Sequence, residues 1–291
     1  MMPPLLSIII PHHNRSRMLI ELLHSIPQRA DIEIIVVDDH SDTPPDSAHL
    51  HSIHPGVRLM HQSQDQRYAG AARNAGLQHA LGEWVFFADS DDLISTAGFK
   101  AVLDDLPQSQ SDLIHARATS ITQDREQGHR HKATNLLLDM AEKTPFCLVQ
   151  FYPPWCKFIR RSLLVNGGIT FDAVRVSNDV MFSVRTFLAS MSPTIRSETV
   201  YVIREGHPSL TSRASVASIT ERLTVLRRYN ALLMQYGLNR YRVPAIGQIL
   251  RIARQDPSAA IRLARETHSS GDPVVFTHHQ MRKLLWRCRF K

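Results

Sequence analysis

Cysteine and long apolar runs are both scarce in this chain. The three cysteines (Cys147, Cys156 and Cys288) include no C-x-x-C pair, so we predict reduced thiols rather than a disulfide framework. The longest apolar stretches reach about eight residues, well short of the ~20 that a membrane-spanning helix needs. The first residues contain neither a basic leader nor a long apolar segment. We therefore expect a cytoplasmic protein.

Glycine is also sparse, with 12 in 291 residues, and its placement excludes several nucleotide-binding loops. Gly70 and Gly76 form neither a G-x-G-x-x-G fingerprint nor a Walker loop ending in Lys-Ser/Thr, so dinucleotide-binding and NTPase functions have no support. A calcium-binding EF-hand loop that began at Asp89 would need Gly at its sixth position and Glu at its twelfth. Those positions are Ile94 and Lys100, which excludes an EF-hand.

Charge is distributed unevenly along the chain. Residues 1–106 contain 7 basic and 14 acidic side chains, whereas the remaining residues contain 27 basic and 13 acidic ones. An excess of basic over acidic side chains is compatible with binding to nucleic acid, to anionic lipid or to a phosphate-bearing ligand. Because the acidic part contains motifs that need a cation, the overall basicity does not by itself indicate a nucleic-acid partner.

The first hundred residues alternate between β-branched apolar runs and segments with helical spacing. The predicted strands are 5–10, 32–37, 57–61 and 84–88, and the predicted helices are 19–26 and 69–80. Strands that alternate with helices of about ten residues indicate βαβ crossovers and a mostly parallel sheet. Ligands bind such sheets at the carboxyl ends of the strands.

Carboxylates follow two of these predicted strands. Asp38 and Asp39 follow the second, and Asp89 and Asp91 follow the fourth. Like charges crowded at strand ends need a compensating partner, and hard oxygen ligands suit Mg²⁺ or Mn²⁺, which is usually shared with substrate phosphates. We therefore predict a divalent-metal and diphosphate site. The alternative for the same residues is a solvated acidic loop that caps the helix beginning near Thr96.

Two other functions remain open on the residues alone. A phosphotransferase of the haloacid dehalogenase type also places Asp-x-Asp after an apolar strand, with Asp89 as its nucleophile. It would have Thr or Val in place of Leu93, and its motif normally opens the chain. The second alternative is a non-enzymatic module that binds membrane or nucleic acid through the basic C-terminal half.

Four segments, taken in order, resemble the opening of the family 2 glycosyltransferases with the GT-A fold. They are residues 7–15 (SIIIPHHNR), 34–41 (IIVVDDHS), 69–77 (AGAARNAGL) and 82–92 (GEWVFFADSDD). The resemblance implies an α/β fold with a mostly parallel central sheet flanked by helices. It further implies a donor-binding half (1–106), an acceptor-binding half of the same domain (107–212) and a basic helical extension (213–291).

The resemblance also implies a function. This is a metal-dependent, inverting transfer of a sugar from a nucleotide diphosphate donor, most commonly UDP-linked, with Mn²⁺ or Mg²⁺ as cofactor. The acceptor would be a glycan or lipid-linked glycan in bacterial surface-polysaccharide synthesis. Breaking the bond between sugar and diphosphate develops negative charge on the leaving group, which a bound cation stabilises.

Roles for individual residues follow from the resemblance. Asp39, or alternatively Asp38, would accept a hydrogen bond from the base, and Asp91 would be the direct metal ligand. The full set of expected nucleotide and donor contacts is Pro11, His12, Asn14, Asp38, Asp39, Arg73, Asp89 and Ser90. The expected metal ligands are Asp91, Asp89 and His207.

The second half supplies the expected acceptor chemistry. Residues 155–161 (WCKFIRR) resemble a W-x-K segment of polysaccharide-building members, which implies acceptor binding by Trp155 and Lys157. Asp179 lies where members often carry Glu-Asp, and it is the candidate general base that takes the proton of the acceptor hydroxyl. Asn178 replaces the usual Glu. The alternative is that Asn178 or Asp179 only caps a helix.

Residues from 213 onward are expected to be helical. Ile219, Leu223, Leu226 and Leu233 form an apolar stripe with helical spacing. Residues 281–291 carry five basic side chains and no acidic one. A basic amphipathic helix at that end would suit an anionic membrane surface, or would equally pack on the protein's own core.

Overall fold

The structure, a computed structural model, describes residues 3–206 and 215–275. It divides the chain into two compact units, residues 1–207 and 208–291. The first unit contains the whole expected donor half (1–106) and residues 107–207 of the expected acceptor half. The boundary predicted between residues 212 and 213 falls inside the undescribed stretch 207–214.

Within residues 3–206, eight strands form one sheet in the order β3-β2-β1-β4-β7-β6-β8-β5. The strands are β1 (Leu6–His12), β2 (Ile32–Asp38), β3 (Val57–His61), β4 (Trp84–Phe87), β5 (Leu93–Ile94), β6 (Leu113–Ile121), β7 (Lys157–Arg160) and β8 (Pro193–Arg204). Strands β1 to β4 pair in parallel, as do β6 and β8. Strand β7 is antiparallel to both of its neighbours, and β5 is antiparallel to β8.

Helices connect these strands. They are α1 (Ser16–Ser25), α2 (Ser47–Ile53), α3 (Tyr68–His79), α4 (Thr96–Asp105), α5 (Lys132–Ala141), α6 (Arg161–Asn166) and α7 (Asn178–Ala189). Every strand and helix predicted for the first hundred residues is present, and the ends differ by only a few residues. The α/β prediction with a mostly parallel sheet is thus confirmed.

Two aromatic clusters lie on opposite faces of β4. Successive side chains of a strand point to opposite faces, so Phe86 meets Phe99 of α4 at 5.1 Å between ring centroids. Phe87 meets Phe171 at 5.0 Å and Phe182 of α7 at 5.4 Å on the other face. The second cluster fixes the beginning of α7 close to the end of β4, and this contact determines where the site forms.

The expectation that Pro11 ends the first strand is wrong, because β1 continues to His12 and Pro11 pairs with Val37. Alternate residues of β1 face β2 and β4, and the last bond between β1 and β4 runs from Ala88 N to Ile9 O. The backbone of Pro11 therefore faces β4, but at a position where β4 no longer pairs with β1. Its missing N–H removes no hydrogen bond from the sheet.

The described part of the second unit, residues 215–275, contains the helices α8 (Val216–Gln235), α9 (Ile246–Ala253) and α10 (Pro257–Ser269). Of the predicted apolar stripe, Ile219, Leu223 and Leu233 are buried, whereas Leu226 is only partly buried. Residues 281–291 lie outside the described residues. Among residues 3–206 and 215–275, no helix combines the length and the apolar character that crossing a bilayer requires.

Candidate functional site

The candidate site lies at the carboxyl ends of β2, β1 and β4. The sheet order places β1 between the other two strands, so the two acidic strand ends lie on the same edge about 10 Å apart, two strand spacings. The sequence predicted that both ends would face one edge. The structure adds that the loop after β1 lies between them.

Arg73 joins the end of β4 to the beginning of α7. Its Nη2 donates to Asp89 Oδ1 at 2.5 Å, and its Nη1 donates to Asn178 Oδ1 at 3.1 Å. The side chain is only 7% exposed and lies 5.3 Å from the centre of the Phe171 ring. A guanidinium held by two partners and an aromatic ring has a fixed orientation, so Arg73 sets the relative position of Asp89 and α7.

The three aspartates after β4 have different environments. Asp91 accepts a hydrogen bond from Arg15 Nη1 at 2.6 Å, and the side chains of Asp89 and Asp91 are 32% and 35% exposed. Asp92 is buried, and its Oδ1 accepts from the backbone N–H of Arg204 at 2.8 Å. Burial, followed by the charges of Asp89 and Asp91, raises the pKa of Asp92 well above its ordinary value. Asp92 thus anchors the loop after β4, whereas Asp89 and Asp91 are partly exposed at the carboxyl ends of the strands.

The donor set at this edge fits a small divalent cation. Within the described residues no cluster of three or more His, Cys, Asp or Glu side chains could hold a metal by itself. Two carboxylates suffice for Mg²⁺ or Mn²⁺ when substrate phosphates and water supply the remaining oxygens. Asp89 and Asp91 are such a pair. His207, the third predicted ligand, lies outside the described residues.

Asp39 is fixed at the beginning of α3. Its Oδ2 accepts from the backbone N–H of Tyr68 at 2.9 Å, and its Oδ1 accepts from Gln62 Nε2 at 3.3 Å. Its own N–H donates to His12 O at 2.7 Å. Asp38, in contrast, is buried beneath the loop and accepts from Ser41 N at 3.2 Å. Of the two aspartates, Asp39 is the more exposed one at the carboxyl ends of the strands.

His12 and its neighbours leave several buried polar atoms unsatisfied. Both ring nitrogens of His12, Asp38 Oδ1 and Gln62 Oε1 have no hydrogen-bond partner among the described residues. Burial lowers the pKa of His12 to about 4, although the charge of Asp38 opposes this shift, so the ring is neutral near pH 7. Folded proteins rarely leave such atoms unpaired, so these four atoms are available to a bound ligand or to water.

Asn14 ties the loop after β1 to the loop after β2. Its side chain donates to Asp42 Oδ2 and accepts from Asp42 N, both at 2.8 Å, and its N–H donates to Ser41 Oγ at 2.8 Å. Asn14 has a φ of 52°, which asparagine tolerates better than most residues. Pro11 and Ser90 are both buried next to these loops.

Asp179 lies in the first turn of α7. Burial raises its pKa above the ordinary value, while the charges of Arg73 and Lys157 act in the opposite direction. A carboxylate whose pKa is raised by its surroundings is a stronger proton acceptor. Asp179 directly follows Asn178, the residue that Arg73 connects to Asp89.

The two residues expected to bind acceptor have different positions. The partly exposed Trp155 ring stacks on the Tyr201 ring with centroids 5.3 Å apart, and the Tyr201 hydroxyl accepts from Asp89 N at 2.8 Å. Lys157 is only 1% exposed, and its Nζ donates to Phe151 O and to Ser183 Oγ at 2.9 and 2.7 Å. Trp155 therefore lies next to the site, whereas the Lys157 ammonium is enclosed beneath it.

Two residues of the site were not predicted. Arg15 follows Asn14 directly in the loop after β1, so its position next to the predicted nucleotide contacts was a usable signal. Tyr201 lies on β8, more than a hundred residues after Asp89, and no local pattern connects them.

Comparison with known proteins places this geometry in a family. The family described as Glycosyl transferase family 2 matches residues 7–168. An uncharacterized glycosyltransferase, EpsJ of Bacillus subtilis, is 27% identical over 81% of this chain and 71% of its own length. The poly(ribitol-phosphate) beta-N-acetylglucosaminyltransferase TarP of Staphylococcus aureus is 24% identical over 68% of this chain and 62% of its own length.

Solved structures show the same fold. Residues 1–349 of S. aureus TarS, in complex with UDP-GlcNAc, match with a TM-score of 0.62 and 20% identity, over 78% of this chain and 65% of that one. A mannosyltransferase from Pyrobaculum calidifontis, in complex with GDP-Man and Mn²⁺, matches with a TM-score of 0.57 and 17% identity, over 92% and 80%. These matches decide against the haloacid dehalogenase alternative. The chain belongs to glycosyl transferase family 2 and has the GT-A fold.

Proposed function

We propose that the protein is a metal-dependent, inverting glycosyltransferase that moves a sugar from a UDP-linked donor to a glycan or lipid-linked glycan acceptor. The observation that carries this proposal is the arrangement around Arg73, which connects Asp89 at the donor edge with the beginning of α7. In this proposal Asp179, which follows Asn178 on α7, is the carboxylate that takes up a proton, and Asp89 with Asp91 is the pair that binds a diphosphate-bound cation. The names of TarP and the TarS complex support a UDP-sugar donor and a polymeric acceptor.

The donor would bind along the edge from β2 to β4. Asp39 would accept a hydrogen bond from the base, since it is already fixed at the surface of the edge, and His12 and Asn14 would line the same pocket. Arg73 would lie beside the diphosphate, and Ser90 and Asp89 beside the ribose. The loop contacts of Asn14 are made within the protein itself, so this side of the pocket is formed before the donor arrives.

Mn²⁺ or Mg²⁺ would be held by Asp91 and Asp89, with His207 as a further proposed ligand. When bound, the cation stabilises the negative charge of the departing diphosphate. The remaining chemistry belongs to the chain's own residues. Arg73 keeps Asp89 oriented, and Arg15 balances the charge of Asp91.

Asp179 would act as the general base. It would take the proton of the acceptor hydroxyl while that oxygen attacks the anomeric carbon, and the bond between this carbon and the diphosphate oxygen would break in the same displacement. One displacement inverts the configuration at the anomeric carbon. Trp155, partly exposed and stacked on Tyr201, would provide a surface for the acceptor sugar, because sugars pack well on aromatic rings.

A panel of nucleotide sugars tests this function. The full-length protein would be mixed with UDP-GlcNAc, UDP-glucose or GDP-mannose, with and without Mn²⁺, and followed by thermal shift and by release of free nucleotide. We expect stabilisation and nucleotide release with a UDP-sugar only when Mn²⁺ is present. Absence of nucleotide binding across the whole panel would contradict the proposal.

The Asp91→Asn variant tests the metal site. Removal of this charge should weaken UDP binding about 10-fold or more with Mn²⁺ and leave it nearly unchanged with EDTA, because only the metal-bridged part of the affinity is lost. Isothermal titration calorimetry with UDP measures both values. The matched control is Asp124→Asn, an exposed aspartate elsewhere in the same unit. Equal weakening in both conditions would show that Asp91 does not act through a metal.

A further inference from the structure

Lys157 is a buried ammonium group held by neutral partners. Its Nζ donates to Phe151 O at 2.9 Å and to Ser183 Oγ at 2.7 Å, and it lies 5.1 Å from the centre of the Phe151 ring. Among the described residues, no carboxylate lies within ion-pair distance of it. Burying a charge without a direct ion pair is costly for folding. A neutral side chain at this position would avoid that cost, so the charge itself requires an explanation.

The contacts of Lys157 lead to the helix that carries Asp179. Ser183 lies four residues after Asp179 on α7, and residues with this spacing share one face of a helix. The Ser183 hydroxyl in turn donates to Tyr152 O at 2.6 Å. Lys157 and the segment 151–152 therefore hold the face of α7 on which Asp179 lies.

Asp179 is also the acidic group whose charge has the largest effect on Lys157. Burial lowers the pKa of Lys157 to about 7, and Asp179, followed by Cys156, acts against this shift. In the other direction, the positive charge of Lys157 acts against the burial that raises the pKa of Asp179. The two groups thus interact electrostatically without forming an ion pair. Charge–charge interactions are stronger in the protein interior, where the dielectric constant is low.

We propose that Lys157 is a positioning residue for the general base: it fixes the Asp179 face of α7 through Ser183, and its buried positive charge favours the carboxylate form of Asp179 over the protonated form. The proposal rests on the proposed function, in which Asp179 takes the acceptor proton. It gives Lys157 a role beneath the site instead of the acceptor contact that the sequence suggested.

Several charged or titratable groups face this pair. Asp179 is faced by Arg73 of α3, by Asp89 after β4 and by Lys157 of β7. Lys157 is faced by Asp179, by Cys156 and by His115 of β6, and burial lowers the pKa of His115 well below its ordinary value. In the acidic range where a carboxylate takes up its proton, Lys157 carries its full charge. Loss of that charge should therefore raise the pH at which Asp179 is protonated.

The test is the pH profile of UDP release from UDP-GlcNAc with Mn²⁺, measured for the Lys157→Met, Lys157→Arg and Ser183→Ala variants. For Lys157→Met we expect the acidic limb of kcat to move up by about one pH unit, so that the rate on this limb falls about 10-fold. The affinity for UDP should change less than twofold. Lys157→Arg keeps the positive charge and should leave the acidic limb unmoved. The control is Lys132→Met, which replaces an exposed lysine on α5.

A merely structural role for Lys157 would lower the melting temperature and the rate without moving the limb, and that result would overturn the proposal. If Lys157→Met does not fold by circular dichroism, Ser183→Ala tests the positioning part, because it removes the contact to α7 and keeps the charge of Lys157. A fall in kcat with unchanged UDP affinity supports the proposal, and an unchanged kcat overturns it. The Asp179→Asn variant distinguishes failure of the proposed function from failure of the role proposed for Lys157. Retained UDP release in Asp179→Asn would refute the proposed function, whereas lost release together with an unmoved limb in Lys157→Met would refute only the role of Lys157.

Discussion

In the Asp179→Asn variant, we expect nucleotide release and sugar transfer to fall about 1000-fold while UDP binding stays intact. The amide is close to the carboxylate in size and can occupy the same place in the first turn of α7, but it cannot take a proton. General bases typically contribute rate factors of 10² to 10⁴. Because the proposed donor and metal contacts are made by other residues, Asp39, Arg73 and Asp91, the affinity for UDP and Mn²⁺ should change less than twofold.

Single-turnover release of UDP and calorimetric titration with UDP provide the two measurements. The control is Asp139→Asn on α5, which removes the same charge from an exposed position. If Asp179 only capped α7, as the alternative interpretation of the sequence allowed, the variant would lose stability and keep most of its turnover. Such a result would require another residue as the base.

For Gly70→Ala, a large loss of both stability and activity is expected. Helix α3 passes so close to the segment before α7 and to the first residue of α7 that an added Cβ at Gly70 would lie 2.5 Å from Asp172 O and 2.9 Å from Asn178 Cβ. Backbone atoms cannot rotate out of the way, so the helices must separate. Overpacking of this kind typically costs 1–3 kcal/mol, and the better helix propensity of alanine offsets about 1 kcal/mol.

The net decrease in the free energy of unfolding should reach up to about 2 kcal/mol, measured by urea denaturation. Turnover should fall further than stability alone explains, because separation of α3 from α7 breaks the bond between Arg73 and Asn178. Gly247→Ala in α9 is the matched control, since nothing lies within 4 Å of its added Cβ. That substitution should stabilise by up to about 1 kcal/mol. Similar effects of the two substitutions would show that the close approach at Gly70 is unimportant.

The donor half could be predicted from sequence because its signals are local. Hydrophobic runs and helical spacing located β1 to β4, α1 and α3, and the position of acidic residues directly after strands indicated the site edge. Helix α2 was not predicted, since its seven residues are too few for a clear periodic pattern. Pro11 was taken as a strand end, because the sequence does not show that β4 has already stopped pairing at this point.

The connections between the two halves of the site could not be predicted in the same way. Arg73 and Asn178 are 105 residues apart, and Asp89 and Tyr201 are 112 residues apart. These pairs meet only because β7 and β8 join the sheet beside the parallel strands and α7 packs on β4. The burial of Lys157 follows from the same packing. A local pattern therefore marked Lys157 as functional without showing that it lies under the site.

The stacking of Trp155 on Tyr201 gives the protein an intrinsic optical probe. Tyr201 accepts the backbone hydrogen bond of Asp89, so two contacts separate an indole chromophore from a residue proposed to bind the donor. Trp84 is fully buried under the guanidinium of Arg160, 4.2 Å from the ring centre, and should contribute a constant background. Donor titrations could then be followed by tryptophan fluorescence without any label. The third tryptophan, Trp286, lies outside the described residues, and the donor-dependent change should disappear in Trp155→Phe.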